Sequence, residues 1–488
     1  MWTDFIRKHA LHDPERIALV LYGSDRRLSY ADLDAEASRW AAYLHGLGLV
    51  RGDRVALLAS NRLEHLTLFF GCSKLGLIFV PLNFRLGARE LEEQLAGLEP
   101  AVFFGVGPCQ LEGHFPYTDL ERFALPAETD YPKTEIAAKD TLLMLFTSGS
   151  TGVPKGVQLH AEMLLWNALN TQTGWDLRRD DVSVVHMPFF HTGGYNVTCL
   201  PLLRLGGTLV LTQFDPAEML TLIVKEKVSF FFAVPTMFRM MMKAPGFADC
   251  DFSHIRFCIS GGAPCPASLI AAYRAKGVPF MQGFGLTEVG PNCFYMTHWD
   301  ARSRPDSVGR PMLHSQVRLV DEQRRVVDRG QVGELCLKGP HVTSGYWRNS
   351  QAFEQVFSDG YFHTGDLMRE DEDGFFYVVG RRKEMYISGG ENVFPGEVVR
   401  QMVQHPGIVD AAVIAVPDEK WGEVGFAFYQ GTPDLDLSEL REFLNPRLSR
   451  YKHPHHLAHM KRFPLLANNK VDMQALKDRA HQERETNG

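Results

Sequence analysis

Short apolar runs alternate with longer amphipathic segments between residues 28 and 380. After Ser29, apolar side chains recur with the spacing of one helix face, at Leu33, Ala37, Trp40 and Leu44. Ser29 predicts the helix N-cap, and Gly46 or Gly48 predicts its end. Continuous apolar runs predict buried parallel strands at residues 55–59, 142–146, 208–211, 230–234 and 257–260. Several of these runs lead directly into Gly- or Pro-rich loops, which is typical of an α/β enzyme.

The pattern changes after Gly380. Strands are predicted at 411–416 and 426–429 and a helix at 438–448, which together indicate a separate small α+β domain. The junction at 380–383 is charged and has no long apolar run, so it is a candidate hinge. The prediction is a large N-terminal α/β domain with several subdomains (1–381) plus a small mobile α+β C-terminal domain (382–488).

Composition excludes several classes of protein. With 51 basic and 58 acidic residues the net charge is −7, which disfavours nucleic-acid binding. The N-terminal residues lack the continuous apolar run of a signal peptide. The longest apolar region, 63–82, is interrupted by charged residues and predicts no transmembrane segment. We therefore expect a soluble cytoplasmic protein. Its eight cysteines show no CxxC spacing, and we interpret them as buried reduced thiols.

A histidine cluster occurs near the C-terminus, at His453, His455, His456 and His459. Pro454 breaks regular helical spacing, and no cysteine or carboxylate joins the cluster. We interpret these residues as exposed histidines rather than as a metal site.

The segment 147–157 carries the strongest chemical signal. Directly after an apolar run it combines hydroxyl side chains, glycines and one lysine; its candidate nucleotide-binding residues are Thr147, Ser148, Gly149, Ser150, Thr151, Gly152 and Lys155. Glycine lets backbone N–H groups approach phosphate oxygens, hydroxyls donate hydrogen bonds, and lysine supplies positive charge. Because Gly156 follows Lys155 where a Walker A loop has Ser or Thr, the segment is a different kind of phosphate loop.

This loop resembles the signature of the adenylate-forming superfamily, which includes acyl-CoA synthetases, adenylation domains of peptide synthetases and beetle luciferases. The similarity covers essentially the whole chain. Further motifs follow in the order of the family, at 283–288, 361–366, 380–381, 388–392 and Lys470. The resemblance implies ATP-dependent activation of a carboxylic acid through an acyl-adenylate. Transfer to CoA then yields acyl-CoA, AMP and pyrophosphate, with ATP, Mg²⁺ and CoA as the bound ligands.

The resemblance also implies a role for each matched residue in the predicted N-terminal domain. Phe284, between Gly283 and Gly285, stacks on adenine, and Thr287 bonds the α-phosphate. Glu288, joined by Thr147, is the magnesium ligand. Asp366 and Arg381 bind the ribose.

In the predicted C-terminal domain, the resemblance implies that Lys470 neutralises the carboxylate and the α-phosphate. Leu465, Leu466 and Asn469 depart from the usual form of this last motif. Lys383 occupies the hinge position, and the face formed by Ser388, Gly389 and Gly390 guides the thiol.

The segment 188–194 resembles the version in fatty-acyl and aryl CoA synthetases, with His191 beside the carboxylate or, alternatively, packed against a backbone carbonyl. No aspartate stands nearby to pair with an amino-acid ammonium. We expect an apolar acyl pocket lined by His191, Gly261, Gly262, Gly285 and Val289. A medium- or long-chain fatty acid is the first expectation and an aryl or hydroxycinnamic acid the second. A carrier protein as acceptor, an inactive ligand-binding relative and a homodimer remain open.

Overall fold

The computed structural model describes residues 4–107, 115–147, 154–263, 265–466 and 471–487. Its α-helices, within these ranges, are α1 Phe5–His12, α2 Tyr30–Gly46, α3 Glu64–Leu75, α4 Ala88–Leu98, α5 Ala161–Gly174, α6 Cys199–Leu205, α7 Pro216–Lys225, α8 Pro235–Lys243, α9 Ala267–Ala275, α10 His298–Ser303, α11 Ser350–Glu354, α12 Pro395–Met402, α13 Leu437–Leu444 and α14 Met473–Asn487.

The β-strands of the same ranges are β1 Ile17–Leu21, β2 Arg27–Ser29, β3 Arg54–Leu58, β4 Ile78–Leu82, β5 Val102–Gly105, β6 Tyr117–Asp119, β7 Thr141–Thr147, β8 Lys155–His160, β9 Val182–Val185, β10 Thr208–Leu211, β11 Phe230–Ala233, β12 Phe257–Ser260, β13 Phe280–Gln282, β14 Phe294–Tyr295, β15 Arg310–Pro311, β16 Gln316–Val320, β17 Val332–Lys338, β18 Phe357–Ser358, β19 Tyr361–Glu370, β20 Phe376–Arg381, β21 Tyr386–Ser388, β22 Glu391–Val393, β23 Ile408–Asp418, β24 Gly422–Gly431 and β25 His456–His459.

The chain divides into two compact units. Unit 1 comprises Met1–Ala263, Ala272–Val317 and Leu337–Phe362, and unit 2 comprises Pro264–Ala271, Arg318–Cys336 and His363–Gly488. This division interleaves the chain, so it differs in kind from the predicted linear boundary at 381/382, which stays a prediction.

Unit 1 is built on parallel sheets, as predicted. Its largest sheet has the order β6-β5-β3-β4-β7-β8, in which only the β7–β8 pair is antiparallel. Helix α4 covers the β3–β4–β5 region with Leu91, Leu95 and Leu98. A second sheet has the order β2-β1-β10-β9, and strands β11, β12 and β13 form a third, fully parallel sheet. The predicted runs at 208–211 and 257–260 coincide with β10 and β12.

Helix α2 follows its sequence signals closely. The Ser29 side chain accepts a hydrogen bond from the Asp32 N–H at 3.1 Å, and the Asp32 carboxylate accepts one from the Ser29 N–H at 2.8 Å. This capping box satisfies two helix N–H groups that otherwise have no helical partner. The predicted apolar face is buried, and the helix ends at Gly46. The predicted start, face and end of this helix are confirmed.

The C-terminal part of unit 2 is an α+β sheet of order β22-β21-β24-β23, with β25 parallel to β24. Alternate residues of β23 and β24 point to opposite faces, so two separate cores form. Helices α12 and α13 cover one face and α14 covers the other. The predicted strands lie inside β23 and β24, whereas α13 ends at Leu444, short of the predicted residue 448. The small α+β C-terminal part of the predicted fold class is confirmed.

The prediction of exposed histidines near the C-terminus is wrong. His453 is buried, and its Nε2 lies 3.1 Å from the Leu448 carbonyl oxygen. His455, His456 and His459 are half-buried, and the His456 ring stacks on Phe426 with ring centres 5.3 Å apart. These histidines are packing residues of β24 and β25 and the segment before them.

Cysteine burial agrees with the sequence analysis. Among the described cysteines, Cys250 is half-buried and the others are buried free thiols, while Cys109 lies outside the described residues. Within the described ranges, no helix combines the length and apolar character that crossing a bilayer requires.

Candidate active site

The two ends of the predicted phosphate loop are held by paired strands in unit 1. Thr147 is the last residue of β7 and is paired with Lys155, the first residue of β8. The Thr147 hydroxyl donates to the Lys155 carbonyl oxygen at 3.5 Å. The remaining candidate residues of the loop, Ser148, Gly149, Ser150, Thr151 and Gly152, lie outside the described residues. The hairpin register therefore brings Thr147 and Lys155 together.

Tyr346 connects Lys155 to Glu288. The Lys155 ammonium lies 4.9 Å from the centre of the Tyr346 ring, close enough for a cation–π contact. The Tyr346 hydroxyl donates to Glu288 Oε1 at 3.1 Å. Burial, and then the Glu288 carboxylate, raise the pKa of Tyr346 well above its usual value, so the phenol stays a hydrogen-bond donor at neutral pH. Three charged or polar side chains from distant parts of the sequence thus form one cluster.

The backbone around Tyr346 is fixed by β8. Tyr346 forms a β-bridge with Val157, and the Trp347 N–H donates to the Gly156 carbonyl oxygen at 2.7 Å. A Cβ atom on Gly156 would lie 2.9 Å from Met144 Sδ and 3.3 Å from Trp347 Cβ. Glycine at 156 therefore allows the segment that carries Tyr346 to approach the phosphate-loop hairpin.

Thr287, Glu288 and Val289 form a single 3₁₀ turn. The Thr343 N–H donates to the Glu288 carbonyl oxygen at 2.7 Å, and His341 Nδ1 lies 2.5 Å from the Val289 carbonyl oxygen. Burial lowers the pKa of His341, which keeps its imidazole neutral. The turn that presents Thr287 and Glu288 is consequently anchored by the segment leading to Tyr346.

Gly285 cannot be replaced without moving the backbone. A Cβ atom at this position would lie 1.5 Å from the Pro291 carbonyl oxygen. Phe284 beside it is half-buried, and its ring meets Phe294 edge to face at 5.9 Å between ring centres. The predicted adenine-stacking residue thus lies on a tightly folded loop.

Gly261, one of the predicted acyl-pocket glycines, borders an aromatic ring. A Cβ atom on Gly261 would lie 3.0 Å from the Phe232 ring, and one on Gly193 would lie 3.6 Å from the same ring. Gly262, with φ of +81°, has Val234 as its neighbour. Val289 is fully buried. Glycine at position 261 therefore lets the Phe232 ring approach the backbone closely.

His191 is half-buried in unit 1. Its backbone N–H donates to the Pro188 carbonyl oxygen at 3.0 Å. Its imidazole ring lies 4.4 Å from the Phe190 ring, centre to centre. The role of His191 beside the carboxylate stays a prediction.

In unit 2, Asp366 and Arg381 are directly paired. They are opposite each other in the β19–β20 ladder, and Arg381 Nε donates to Asp366 Oδ1 at 2.9 Å. Asp366 is buried, whereas the Arg381 side chain is about half exposed. The structure therefore brings both predicted ribose-binding residues together.

A second carboxylate, Glu334, lies beside this pair. Glu334 Oε1 accepts the Gly365 N–H at 2.9 Å, and Glu334 Oε2 accepts Arg382 Nη1 at 2.9 Å. His363 Nδ1 is 3.8 Å from Glu334 Oε2 and 3.2 Å from Cys336 Sγ. Burial lowers the pKa of His363 and raises that of Cys336 to about 12, so this thiol is protonated and unreactive at neutral pH.

The predicted thiol-guiding residues form a tight hairpin turn in unit 2. Ser388 pairs with Glu391 across β21 and β22, and Gly389 and Gly390 between them have φ of +60° and +88°. Two consecutive positive φ values are typical of a two-residue hairpin turn and favour glycine. A Cβ atom on Gly389 would lie 2.7 Å from the Trp421 ring. Glycine is required here by both conformation and space.

Two other predicted residues of the C-terminal domain are less constrained by the structure. Lys383 lies in an exposed 3₁₀ turn, 382–384, and its hinge role stays a prediction. Lys470 lies outside the described residues. On either side of it, Leu465 and Val471 form a β-bridge, and Leu465 and Leu466 are exposed.

The sequence analysis missed Tyr346 and Glu334. Neither belongs to a dense polar motif, and their importance depends on contacts with residues far away in the chain. Glycine in the neighbouring sequence, at Gly333 and Gly345, is a signal of close backbone approach, but it does not identify the partner.

The oxygen atoms of Glu288 and Thr147 match the chemistry of magnesium. Mg²⁺ prefers hard oxygen donors and is often held by one or two carboxylates together with substrate phosphates. In the described part of the chain, no three His, Cys, Asp or Glu side chains are grouped to hold a metal. The hard oxygen donors of Glu288 and Thr147 therefore fit a magnesium ion.

Comparison with known proteins gives matches along almost the whole chain. The AMP-binding enzyme family matches residues 6–347, and the AMP-binding enzyme C-terminal domain matches residues 400–470. A feruloyl-CoA synthase of Amycolatopsis is 37% identical over 91% of this chain and 92% of its own length. A long-chain-fatty-acid–CoA ligase of Mycobacterium tuberculosis is 34% identical over 92% of each chain.

A solved structure also matches this chain over almost its whole length. The o-succinylbenzoate coenzyme A synthetase of Bacillus subtilis, in complex with ATP and a magnesium ion, has a TM-score of 0.88. It is 28% identical, and the match covers 97% of this chain and 99% of the synthetase. The predicted acyl-CoA synthetase-like fold is confirmed. This chain belongs to the AMP-binding enzyme family, within the adenylate-forming superfamily that the ordered motifs predicted.

Proposed function

We propose that the protein is an acid–CoA ligase that activates an aromatic carboxylic acid of the hydroxycinnamate type. The observation that carries the ligase function is the cluster in which Tyr346 joins Lys155 to Glu288. It combines an ammonium, a carboxylate with hard oxygen atoms and a hydroxyl beside the ends of the phosphate loop. These side chains suit a nucleoside triphosphate bound with Mg²⁺.

The reaction has two steps. A carboxylate oxygen attacks the α-phosphorus of ATP, the bond to the β-phosphate oxygen breaks, and pyrophosphate leaves with the bonding electrons. The CoA sulfur then attacks the acyl carbon of the adenylate, and AMP leaves while the thiol loses its proton. ATP and CoA are substrates, and Mg²⁺ offsets negative charge on the phosphates when bound.

The protein's own contribution to the first step is positioning and charge compensation. Both reactants are anions, so cationic side chains and N–H donors lower the barrier more than a protein nucleophile would. Lys155 compensates phosphate charge, and Thr287 donates a hydrogen bond to the α-phosphate. Glu288 with Thr147 would hold the metal ion, and Asp366 with Arg381 fixes the ribose. Lys470 brings the substrate carboxylate to the α-phosphate.

Support for an aromatic acid comes from the glycine-bordered ring. Because Gly261 has no side chain, the Phe232 ring lies close to its backbone, and Gly193 lies at van der Waals distance from the same ring. A flat ring can stack on such a surface with offset or edge-to-face geometry. The 37% identity to a feruloyl-CoA synthase supports the same choice.

A medium- or long-chain fatty acid is the second candidate. The same surface is apolar, and the 34% identity to a long-chain-fatty-acid–CoA ligase supports this reading. An alkyl chain needs only apolar contact and therefore gains less from the Phe232 ring than an aromatic acid does.

The test is a panel of acids with ATP, Mg²⁺ and CoA, in which pyrophosphate, AMP and acyl-CoA are all measured. We expect the highest kcat/KM for ferulate or a related cinnamate, followed by fatty acids, and no turnover of amino acids. A higher kcat/KM for fatty acids would establish the second candidate. Pyrophosphate release without CoA-dependent AMP release would indicate a carrier protein as acceptor, and no pyrophosphate with any acid would contradict the ligase function.

Lys470→Ala separates the two steps. We expect loss of adenylate formation with thioester formation from pre-made adenylate retained, because Lys470 acts on the carboxylate only in the first step. Lys477→Ala, which removes an exposed lysine of α14, is the matched control. Equal loss of both steps in Lys470→Ala would contradict the separate roles of Lys470 and the Ser388–Gly390 turn.

A further inference from the structure

Glu334 is a buried carboxylate whose two oxygen atoms contact two different functional segments of unit 2. Oε1 accepts the backbone N–H of Gly365, which precedes the ribose-binding candidate Asp366, and Oε2 accepts Arg382 Nη1; both distances are 2.9 Å. The Glu334 side chain is only 6% exposed. A buried charge is costly unless it is fully hydrogen-bonded, so these two contacts account for its presence.

The segment of β19 before Asp366 is held to β17 at two adjacent residues. Thr364 Oγ donates to the Leu335 carbonyl oxygen at 2.9 Å and accepts the Asp366 N–H at 3.0 Å. Gly365, with φ of +73°, is in the left-handed region and donates to Glu334. Because the Gly365 backbone departs from regular strand geometry, the direction of the Asp366 side chain depends on these contacts as well as on the β19–β20 ladder.

Two consecutive arginines are matched to two carboxylates. Arg381 pairs with Asp366, and Arg382 pairs with Glu334. Lys383, the candidate hinge residue, follows directly. Glu334 therefore contacts both the ribose-binding turn and the segment entering the candidate hinge.

We propose that Glu334 is a positioning residue that holds the Thr364–Asp366 segment of β19 so that the Asp366 carboxylate can accept hydrogen bonds from the ribose hydroxyls of ATP. This inference rests on the proposed function. Glu334 itself does not contact the nucleotide. Its effect on nucleotide binding passes through Gly365 and Asp366.

The test compares the binding of ATP and 2′-deoxyATP to the full chain by titration calorimetry. Hydrogen bonds to a charged group are strong, so the wild-type protein is expected to bind ATP about tenfold more tightly or better. Glu334→Ala removes the acceptor of Gly365, and we expect the ATP preference to fall below about threefold because the misplaced Asp366 no longer distinguishes the 2′-hydroxyl. A preference equal to that of the wild type in folded Glu334→Ala protein would overturn the proposal.

Thr364→Val provides a second route to the same answer if Glu334→Ala does not fold. It removes the contacts to Leu335 and Asp366, and a reduced ATP preference is again expected. Glu226→Ala is the matched control, since Glu226 is also 6% exposed and pairs with the half-exposed Arg27 in unit 1; its preference should equal that of the wild type. A loss of preference in this control would overturn the specific role of Glu334.

Arg382→Ala distinguishes the two contacts of Glu334. The Gly365 contact remains in this variant, so the ATP preference is expected to stay within about threefold of the wild type. A loss as large as in Glu334→Ala would contradict positioning through Gly365. If the wild-type protein binds neither nucleotide, the proposed function itself fails. If it binds ATP and 2′-deoxyATP equally, only the ribose-binding role of Asp366 fails.

Discussion

Two carboxylates with predicted ligand-binding roles, Glu288 in unit 1 and Asp366 in unit 2, are held in different ways. The Glu288 carboxylate accepts a hydrogen bond from the hydroxyl of Tyr346, 58 positions later in the chain. The 3₁₀ turn that carries Glu288 is held by a backbone hydrogen bond from Thr343, in the segment that leads to Tyr346. Asp366 is bonded by Arg381, 15 positions later, across the β19–β20 strand pair.

The difference determines how each carboxylate responds to substitution. A strand ladder fixes the backbone through many hydrogen bonds. The loss of one side chain such as Glu334 therefore turns the Asp366 carboxylate but leaves Asp366 and Arg381 opposite each other in the ladder. The Glu288 turn has no such ladder and depends on a few contacts with close-packed neighbours. We therefore expect nucleotide binding to be more sensitive to single changes in unit 1 than to comparable changes in unit 2.

Gly285→Ala should produce the largest effect. Its Cβ atom would collide with the Pro291 carbonyl oxygen, so the loop carrying Phe284 and Thr287 must move. A displacement of about 1 Å can cost about 100-fold in rate, and we expect at least this loss in pyrophosphate release with the far-ultraviolet circular dichroism spectrum unchanged.

Gly97→Ala is the control for Gly285→Ala. Gly97 lies in α4 with nothing within 4 Å of the added atom, and alanine is the better helix former, so activity should persist and stability should rise by about 0.5–1 kcal/mol. Near-normal activity in Gly285→Ala would show that this loop is not part of the nucleotide site.

Tyr346→Phe should have an intermediate effect. The ring below Lys155 remains, but the hydrogen bond to Glu288 is lost, which corresponds to about tenfold in affinity for a charged acceptor. We expect a higher Mg²⁺ requirement for ATP binding, measured by calorimetry at several Mg²⁺ concentrations, and a further loss in Tyr346→Leu.

Tyr361→Phe is the matched control for Tyr346→Phe, because the Tyr361 ring also lies below a lysine, with Lys338 Nζ 5.5 Å from its centre. Its Mg²⁺ requirement should be that of the wild type. An unchanged Mg²⁺ requirement in Tyr346→Phe would mean that Glu288 is oriented without the phenol.

The contrast between the two carboxylates also explains what the sequence could reveal. The Ser29 cap and the buried strands depend on local chemistry, and the sequence predicted them well. Asp366 and Arg381 were found through motif resemblance, and their pairing follows from strand register. Tyr346 and Glu334 were not predicted, because their interest lies in tertiary contacts, with Glu288 for Tyr346 and with Gly365 and Arg382 for Glu334. The histidines at 453–459 were misjudged for a similar reason, since a local cluster of polar residues does not reveal that β25 packs them beside β24.

Acid pH should give the smallest effect, and it acts through histidines that are buried in the folded protein. Burial lowers the pKa of His186 in unit 1 to about 3, and its ring stacks on Phe231 with centres 5.0 Å apart. In the unfolded chain this imidazole has a pKa of about 6.5. Because the folded-state pKa is the lower one, the unfolded state binds the proton first. Stability is therefore complete above pH 6.5 and falls as the pH decreases towards 3.

His186→Phe should remove this contribution while keeping the stacked ring. At pH 5 we expect the dependence of unfolding free energy on pH to be smaller than in the wild type by about 1.4 kcal/mol per pH unit. Urea denaturation between pH 5 and 7 measures it. The burial of His65 and His160, which lowers their pKa values to about 3 and about 4, leaves a residual dependence in unit 1. His254→Phe, at an exposed position, is the matched control variant. An unchanged slope in His186→Phe would show that His186 takes up a proton as readily in the folded protein as in the unfolded chain.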